Sequence, residues 1–279
     1  MIHYLIDVSW MLYRGFYACS KIWEEYPEIH FLCKKIECLL SQHNAICYLC
    51  LDGRTPKGRR LLGESYKANR HTNCERSVYE ALPIFVHLLN NERIKIYYNQ
   101  NYESDEIIFT LSRTLQDGRK KIISGDKDIL QALTKDVVID NGSNFTITEE
   151  SYKLEYSDKF FGIAPDKLPI FRAIIGDPSD TLYPPVARFP KKLAAKLINE
   201  FNYKNVFPTI EELNLTKDSL SESEKKWVDK LVISYDKFSV NYDIMKLNVI
   251  TDSLNNEYSL SQVNISEFLK NKILRLNLL

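Results

Sequence analysis

Residues 2–18 carry the pattern from which the fold of this chain can be read: Ile2-His-Tyr-Leu-Ile-Asp-Val-Ser-Trp-Met-Leu-Tyr-Arg-Gly-Phe-Tyr-Ala18. A short, mostly apolar run leads to Asp7, and a longer segment follows it. Short apolar runs of this kind predict buried strands. An acidic residue directly after such a strand suits the cap of a following helix. The first unit of the fold is therefore predicted to be a strand that ends on a carboxylate.

The same alternation continues through the first 150 residues. Strands are predicted over residues 2–8, 45–51, 94–98, 121–124 and 137–140, and helices over residues 29–40, 78–89 and 107–115. Strands joined by long crossovers indicate an α/β fold, with a central, mainly parallel sheet covered by helices. Such sheets bind ligands beyond the carboxyl ends of their strands. Asp7, Asp52 and Asp126 each lie within two residues of the end of an apolar run.

Two regions are predicted along the chain. Residues 1–150 form the α/β core, which includes a long polar loop over residues 53–75. Residues 151–279 form a mostly helical region, with helices over 164–175, 191–201 and 223–234. A length of 279 residues fits one large domain or a domain with a smaller one appended.

Composition narrows the class of protein. With 37 basic and 37 acidic residues the net charge is zero, so a charged partner must be bound locally rather than attracted by the whole protein. Six cysteines in a chain of this length do not indicate a secreted disulfide scaffold, and we expect buried, reduced thiols. Cys47 and Cys50 point to opposite faces of a strand, which argues against a zinc site. No segment approaches the roughly 20 apolar residues of a membrane span. We expect a cytoplasmic protein.

Nine acidic residues occur in five short segments. They are Asp7, Asp52, Glu103, Asp105, Glu106, Asp126, Asp128, Asp177 and Asp180. Each segment taken alone also suits helix capping or a helix dipole. A parallel sheet, however, would gather the segments at one rim, where their charges repel unless the pKa values rise or cations bind. Hard oxygen ligands suit Mg²⁺ or Mn²⁺, and two such ions would favour phosphoryl transfer to water.

A cationic segment follows Asp52 directly. Between Arg54 and Arg76 there are seven basic and two acidic residues, and Tyr66 lies among them. Basic residues interleaved with an aromatic ring are typical of segments that bind single-stranded nucleic acid. The alternative is a solvated charged loop.

Taken in order, these segments resemble the flap endonuclease and 5′-nuclease family, which includes bacteriophage 5′ exonucleases and the 5′-nuclease domain of bacterial DNA polymerase I. The resemblance spans residues 1 to about 181. It rests on residues 7–18, on Asp52 with Arg59 and Tyr66-Lys-Ala-Asn-Arg70, on Glu103-Ser-Asp-Glu106, on Ser124-Gly-Asp-Lys-Asp-Ile-Leu-Gln131 and on Gly176-Asp-Pro-Ser-Asp-Thr181. Residues 238–247 weakly resemble the family's segment after the duplex-binding motif. The family implies a PIN-like nuclease core.

The resemblance implies two Mg²⁺ ions, for which Mn²⁺ would substitute. The first site would use Asp7, Asp52, Glu103 and Asp105 with Glu106 alongside, and the second would use Asp126, Asp128, Asp177 and Asp180. Asp105 and Asp126 are also our catalytic candidates, with Lys67 and Arg59. Glu106 stands where the family usually has Asp, so its carboxylate is one methylene further from the backbone.

The resemblance also implies how DNA is held. Lys67 would stabilise the charge that develops on the phosphate, and Arg59 and Arg70 would guide the 5′ strand. The full set of predicted nucleic-acid contacts is Arg14, Lys57, Arg59, Arg60, Tyr66, Lys67, Arg70, Arg188, Lys191, Lys192 and Lys196.

A second departure concerns the duplex. After its last acidic motif the family has a glycine-rich helix-turn-helix that often holds K⁺, whereas this chain has Tyr183-Pro-Pro-Val-Ala-Arg-Phe-Pro190. Without glycine, the carbonyls of a turn cannot easily approach one ion. We therefore expect no K⁺ site, and duplex binding over residues 183–198 through side-chain cations.

The sequence thus predicts a standalone, monomeric, metal-dependent 5′-nuclease with no polymerase domain attached. Its substrates would be DNA with a 5′ flap or single-stranded 5′ end and RNA-primed duplex, and its setting would be replication, in the host cytoplasm if the protein is viral. A single-strand binding protein or sliding clamp are candidate partners. The alternatives are a PIN-type ribonuclease and a catalytically weak protein that binds flaps without cutting them.

Overall fold

A computed structural model describes residues 1–19, 21, 27–53, 92–143, 146–156, 161–200, 207–252 and 254 of the chain. The described part is built on one five-stranded sheet in which every pair of neighbouring strands is parallel. The strands are β1 (Ile2–Asp7), β2 (Ala45–Leu51), β3 (Ile94–Tyr98), β4 (Arg119–Ile123) and β5 (Val137–Asp140). Their order across the sheet is β3-β2-β1-β4-β5, which places β1 in the centre.

Helices cover both faces of the sheet. They are α1 (Val8–Cys19), α2 (Pro27–Leu40), α3 (Ser104–Thr114), α4 (Glu149–Ser151), α5 (Leu168–Ile175), α6 (Lys191–Glu200), α7 (Ile210–Thr216), α8 (Glu222–Ile233) and α9 (Tyr235–Met245). Three-residue or five-residue 3-10 turns lie over Asp128–Ala132, Pro165–Lys167, Pro178–Asp180 and Lys217–Ser219, and a π turn over Tyr152–Tyr156 follows α4. None of the helices in the described ranges is long and apolar enough to cross a membrane.

The two faces of the sheet contribute to two hydrophobic cores because successive side chains of a strand point in opposite directions. Tyr4 and Ile6 of β1 pack with α1 and α2, whereas Leu5 between them packs with α3 and with helices of the second predicted region. Phe238 of α9 is fully buried in this second core. The core that covers one face of the sheet therefore draws on both sides of residue 150. The division at that residue remains a prediction.

Buried polar contacts also join the end of α9 to the core. The side-chain amide of Gln131 donates to the carbonyl oxygen of Met245 at 2.9 Å, and its oxygen accepts from the amide of Leu247 at 3.1 Å. The hydroxyl of Thr110 in α3 accepts from the amide of Ile250 at 2.9 Å. These bonds fix the chain after α9 against the same elements that carry the acidic segments.

The predicted α/β class and parallel sheet are confirmed. Each predicted strand overlaps an observed strand, and their ends differ by at most two residues. The helix predicted over 164–175 begins instead as a 3-10 turn, Pro165–Lys167, before α5. The helix predicted over 78–89 falls outside the described residues. Cys47 and Cys50 do face opposite cores. The expectation of buried thiols is wrong for Cys38, which lies exposed near the end of α2.

Candidate active site

Asp7 lies at the centre of the acidic rim, at the carboxyl end of the central strand. Its Oδ1 accepts from the backbone amide of Trp10 at 3.1 Å, which caps α1, and from the hydroxyl of Ser104 at 3.3 Å. Its Oδ2 accepts from the hydroxyl of Ser124 at 2.8 Å. Ser104 begins α3 and Ser124 follows β4. One buried carboxylate thus joins three separate segments of the chain at the rim.

The next strand contributes Asp52, whose Oδ1 accepts from the backbone amide of Ser104 at 2.8 Å. The same first turn of α3 carries three further acidic residues, all buried: Glu103, Asp105 and Glu106. The carboxylate of Glu106 reaches back to accept from the amide of Glu103 at 3.0 Å, and that of Asp105 accepts from the amide of Glu106 at 2.7 Å. Unpaired amides at a helix N-terminus favour carboxylates. The acidic side chains therefore cap the N-terminus of α3 and also form a cluster of carboxylates at the rim.

The turn after β4 brings Asp126 to the same rim. Its amide donates to the hydroxyl of Ser124 at 3.1 Å, and its Oδ1 accepts from the amide of Asp128 at 2.9 Å. Gly125, which lies between Ser124 and Asp126, packs against the indole of Trp10. A Cβ at this position would come within 2.3 Å of the Trp10 Nε1. Glycine therefore allows the turn to lie close to α1.

Burial and repulsion act together on Asp7. Burial, followed by the negative charge of Asp52, raises the pKa of Asp7 from its usual 3.8 to about 7, and Asp126 contributes in the same direction. The bonds from Trp10 and Ser124 lower it by less. Near neutral pH, Asp7 is therefore only partly ionised, and a cation beside it would favour the charged form.

The second predicted metal site, which consists of Asp126, Asp128, Asp177 and Asp180, includes a cation. Arg172 of α5 forms ion pairs with Asp128 through Nη1 and with Asp177 through Nη2. All three side chains are buried or nearly so, at 11%, 2% and 9% exposed respectively. Asp177 also accepts from the amide of Ser179 at 2.9 Å, and Asp180 is buried in the same turn.

The donor set at the rim fits a hard divalent cation, because the ligands are oxygens and the negative charges of Asp52 and Asp126 raise the pKa of Asp7. In the portion of the chain described, however, no three Asp, Glu, His or Cys side chains stand ready to bind one ion. The carboxylates are instead held by amide and hydroxyl donors and, in the second cluster, by Arg172. An ion would have to take the place of some of these donors.

The predicted DNA contacts are only partly within the described residues. Lys57, Arg59, Arg60, Tyr66, Lys67 and Arg70 lie outside them, together with all but the first residue of the 53–75 loop. Arg14 lies beside the acidic rim. Its Nη2 donates to the carbonyl oxygen of Gly142 at 2.7 Å, and its guanidinium stacks on Trp10, 5.2 Å from the ring centroid.

The remaining predicted cations lie around the start of α6. Arg188, Lys191 and Lys192 are exposed there. Arg188 has a φ of 58°, a left-handed conformation that is uncommon outside glycine. The turn therefore has a glycine-like backbone although it contains no glycine. Lys196 instead forms an ion pair with Glu224 of α8, with an N···O distance of 3.0 Å.

Several residues of the site were not predicted. Ser104 and Ser124 hold Asp7 in place, and Arg172 pairs with the second cluster. The serines lie inside the acidic motifs, and Arg172 is the only charged residue of α5, so both were visible as sequence signals. Asn241 gave no such signal. Its amide donates to the carbonyl oxygens of Ala173 and Tyr183, which tie α9 to both sides of the last acidic motif.

The amino-acid sequence of this chain is similar to those of known proteins. Residues 3–158 match the family model described as the 5′-3′ exonuclease, N-terminal resolvase-like domain. DNA polymerase I of Bacillus caldotenax is 29% identical over 218 residues, 75% of this chain and 24% of the polymerase. The chain thus spans about a quarter of the length of that relative. The 5′-3′ exonuclease of Mycoplasmopsis pulmonis is 26% identical over 80% of this chain and 73% of its own length.

A solved structure shares the fold. It is the bacteriophage T5 flap endonuclease in a pseudo-enzyme-product complex with DNA and metal ions. It superposes with a TM-score of 0.66 at 16% identity, and the match covers 99% of each chain. The PIN-like nuclease architecture expected from the sequence is therefore the observed one.

Proposed function

Because the chain belongs to the 5′-3′ exonuclease family, whose model covers residues 3–158, we propose that it is a metal-dependent 5′-nuclease. Its substrates are DNA with a 5′ flap or a single-stranded 5′ end, and RNA primers on DNA during replication. The observation that carries the proposal is the position of Asp7, Asp52 and Asp126, which follow three adjacent parallel strands and meet the acidic first turn of α3. The bacteriophage T5 relative, which was solved with DNA and metal ions, supports both substrate and cofactor.

The first cluster, Asp7, Asp52, Glu103 and Asp105, would hold one Mg²⁺. A divalent ion there supplies a Lewis acid that activates water and neutralises charge on the phosphate. The residues themselves supply position. The serine hydroxyls and the amide of Trp10 keep the Asp7 carboxylate directed across the rim. The carboxylate of Glu106 is already used by the amide of Glu103, which supports a capping role for it rather than direct metal binding.

The second cluster, Asp126, Asp128, Asp177 and Asp180, would hold a second ion. Arg172 pairs with two of its members, so an ion that binds both of these carboxylates would have to displace the guanidinium. Lys67 and Arg59 would act on the phosphate from the 53–75 loop. Exposed Arg188, Lys191 and Lys192 would hold the duplex without a K⁺ ion. The supporting observation is that all three flank the same turn ahead of α6.

The proposal is tested with a 5′-labelled flap substrate, in Mg²⁺ and in EDTA. We expect short 5′-phosphorylated products in Mg²⁺ only, and intact substrate in EDTA. An Asp140→Asn variant is the matched control, because this strand-end carboxylate pairs with Lys35 and Lys121 at 3.5 and 3.4 Å rather than with the acidic rim. It should cut normally. Cleavage of single-stranded RNA but not of the flap would favour a ribonuclease. Tight flap binding without cleavage would favour the binding protein.

A further inference from the structure

The second acidic cluster contains an internal cation, Arg172. Arg172 is the one charged residue in the sequence of α5, which is otherwise apolar. Its two terminal nitrogens pair with carboxylates from different segments, Asp128 in the 3-10 turn after β4 and Asp177 after α5. The planar guanidinium presents donors in a fixed fork, which suits it to hold two carboxylates at once.

Because the side chains of Arg172, Asp128 and Asp177 are buried or nearly so, their ion pairs matter for the stability of the protein. A buried carboxylate without a counter-charge is strongly destabilising, and so is a buried guanidinium that has lost its partners. Each member of the Asp128–Arg172–Asp177 group therefore depends on the other two.

We propose that Arg172 is a positioning residue that occupies the second cluster as its resident counter-cation. It holds Asp128 and Asp177 together in the metal-free protein, and it competes with a divalent ion for both carboxylates. The second cluster then binds an ion only as the guanidinium moves away from at least one carboxylate. This inference rests on the proposed function, because it takes the two clusters to be metal sites.

The test is titration calorimetry of Mn²⁺ into the metal-free protein without DNA. Wild type should show a weak class of site, which is the second cluster with Arg172 in place. Arg172→Met keeps an unbranched side chain on an apolar helix and removes the charge, so the weak class should tighten by about tenfold or more. Arg93→Met is the control, because Arg93 donates to the carbonyl oxygen of Leu40 at 2.9 Å, at the opposite end of the sheet, and should leave the weak class unchanged.

A second readout is thermal stability. In EDTA, Arg172→Met should melt below wild type, and it should gain more than wild type from saturating Mn²⁺. Arg172→Lys, which keeps the charge but not the fork, should fall between the two and serves if the Met variant does not fold. Unchanged affinity of the weak class in Arg172→Met, or loss of that class, would overturn the inference alone. Absence of any Mn²⁺ binding would overturn the proposed function with it.

Discussion

Replacing Asp7 by Asn should stabilise the metal-free protein at pH 8 although it removes a central residue of the proposed metal site. The pKa of Asp7 is raised from 3.8 to about 7, chiefly by burial and then by Asp52. At about 1.36 kcal/mol per pH unit, the charged form is disfavoured by about 4 kcal/mol at most. Because the folded state binds the proton more tightly than the unfolded state, the unfolding free energy falls as pH rises from about 4 through 7.

Asparagine removes the charge but keeps most of the hydrogen bonds. Its oxygen can still accept from Trp10 and Ser104, whereas its amide nitrogen cannot accept from the hydroxyl of Ser124. Loss of that bond costs about 1 kcal/mol. We expect a net gain of at most about 3 kcal/mol at pH 8, which corresponds to a rise in Tm of roughly 6 °C. At pH 5 wild-type Asp7 is neutral, so the variant should be slightly less stable than wild type.

The assay is thermal unfolding in EDTA, followed by circular dichroism at pH 5 and pH 8. Asp140→Asn is the control with the opposite sign. Although burial raises the pKa of Asp140, the amide of Gly142 and the ammonium groups of Lys35 and Lys121 lower it overall. Its stabilising effect is present above the unfolded pKa, so its removal should lower Tm at pH 8. An Asp7→Asn variant that is equally shifted at both pH values would refute the electrostatic account of the rim.

Lys67→Ala should slow single-turnover flap cleavage by roughly 10²-fold, as expected for the loss of one preorganised cationic donor. Flap affinity, measured by fluorescence anisotropy, should change little. An unchanged cleavage rate with lost affinity would mean that Lys67 only binds the phosphate backbone. Flap binding should weaken steeply with salt and be equal in KCl and NaCl at equal ionic strength, and tighter binding in KCl would reveal a carbonyl site for K⁺. Gly176→Ala should destabilise the protein by at least about 1 kcal/mol in urea unfolding, because φ is +75° and a Cβ would lie 2.7 Å from the carbonyl oxygen of Leu182; an unchanged midpoint would contradict this.

The sheet could be predicted because each of its strands corresponds to one short, continuous apolar segment of the sequence. Apolar runs of four to seven residues, separated by long crossovers, are sufficient to predict parallel strands, and strand ends then gather Asp7, Asp52 and Asp126 at one rim. Acidic residues of the later motifs were also visible, although their grouping into two metal sites came from the family resemblance and remains a proposal.

Contacts between distant segments were not predictable in the same way. The pairing of Arg172 with Asp128 depends on how α5 packs beside the turn after β4, and no spacing in the sequence encodes that packing. The same holds for Asn241, which reaches residues 58 and 68 positions away. The left-handed backbone of Arg188 was missed for another reason. Absence of glycine argues against such a turn by local propensity, and tertiary packing overrides that preference.

Our proposal is that the strand-end carboxylates perform metal-dependent hydrolysis at a 5′ end. It is tested most directly by measuring single-turnover cleavage and binding of one 5′-flap substrate by wild type and Asp105→Asn, with Asp140→Asn as the control. We predict cleavage by wild type and the control in Mg²⁺. Asp105→Asn should show no cleavage above the EDTA background, with flap affinity equal to or tighter than wild type because a charge that repels phosphate is gone. Wild-type cleavage by Asp105→Asn would contradict the account.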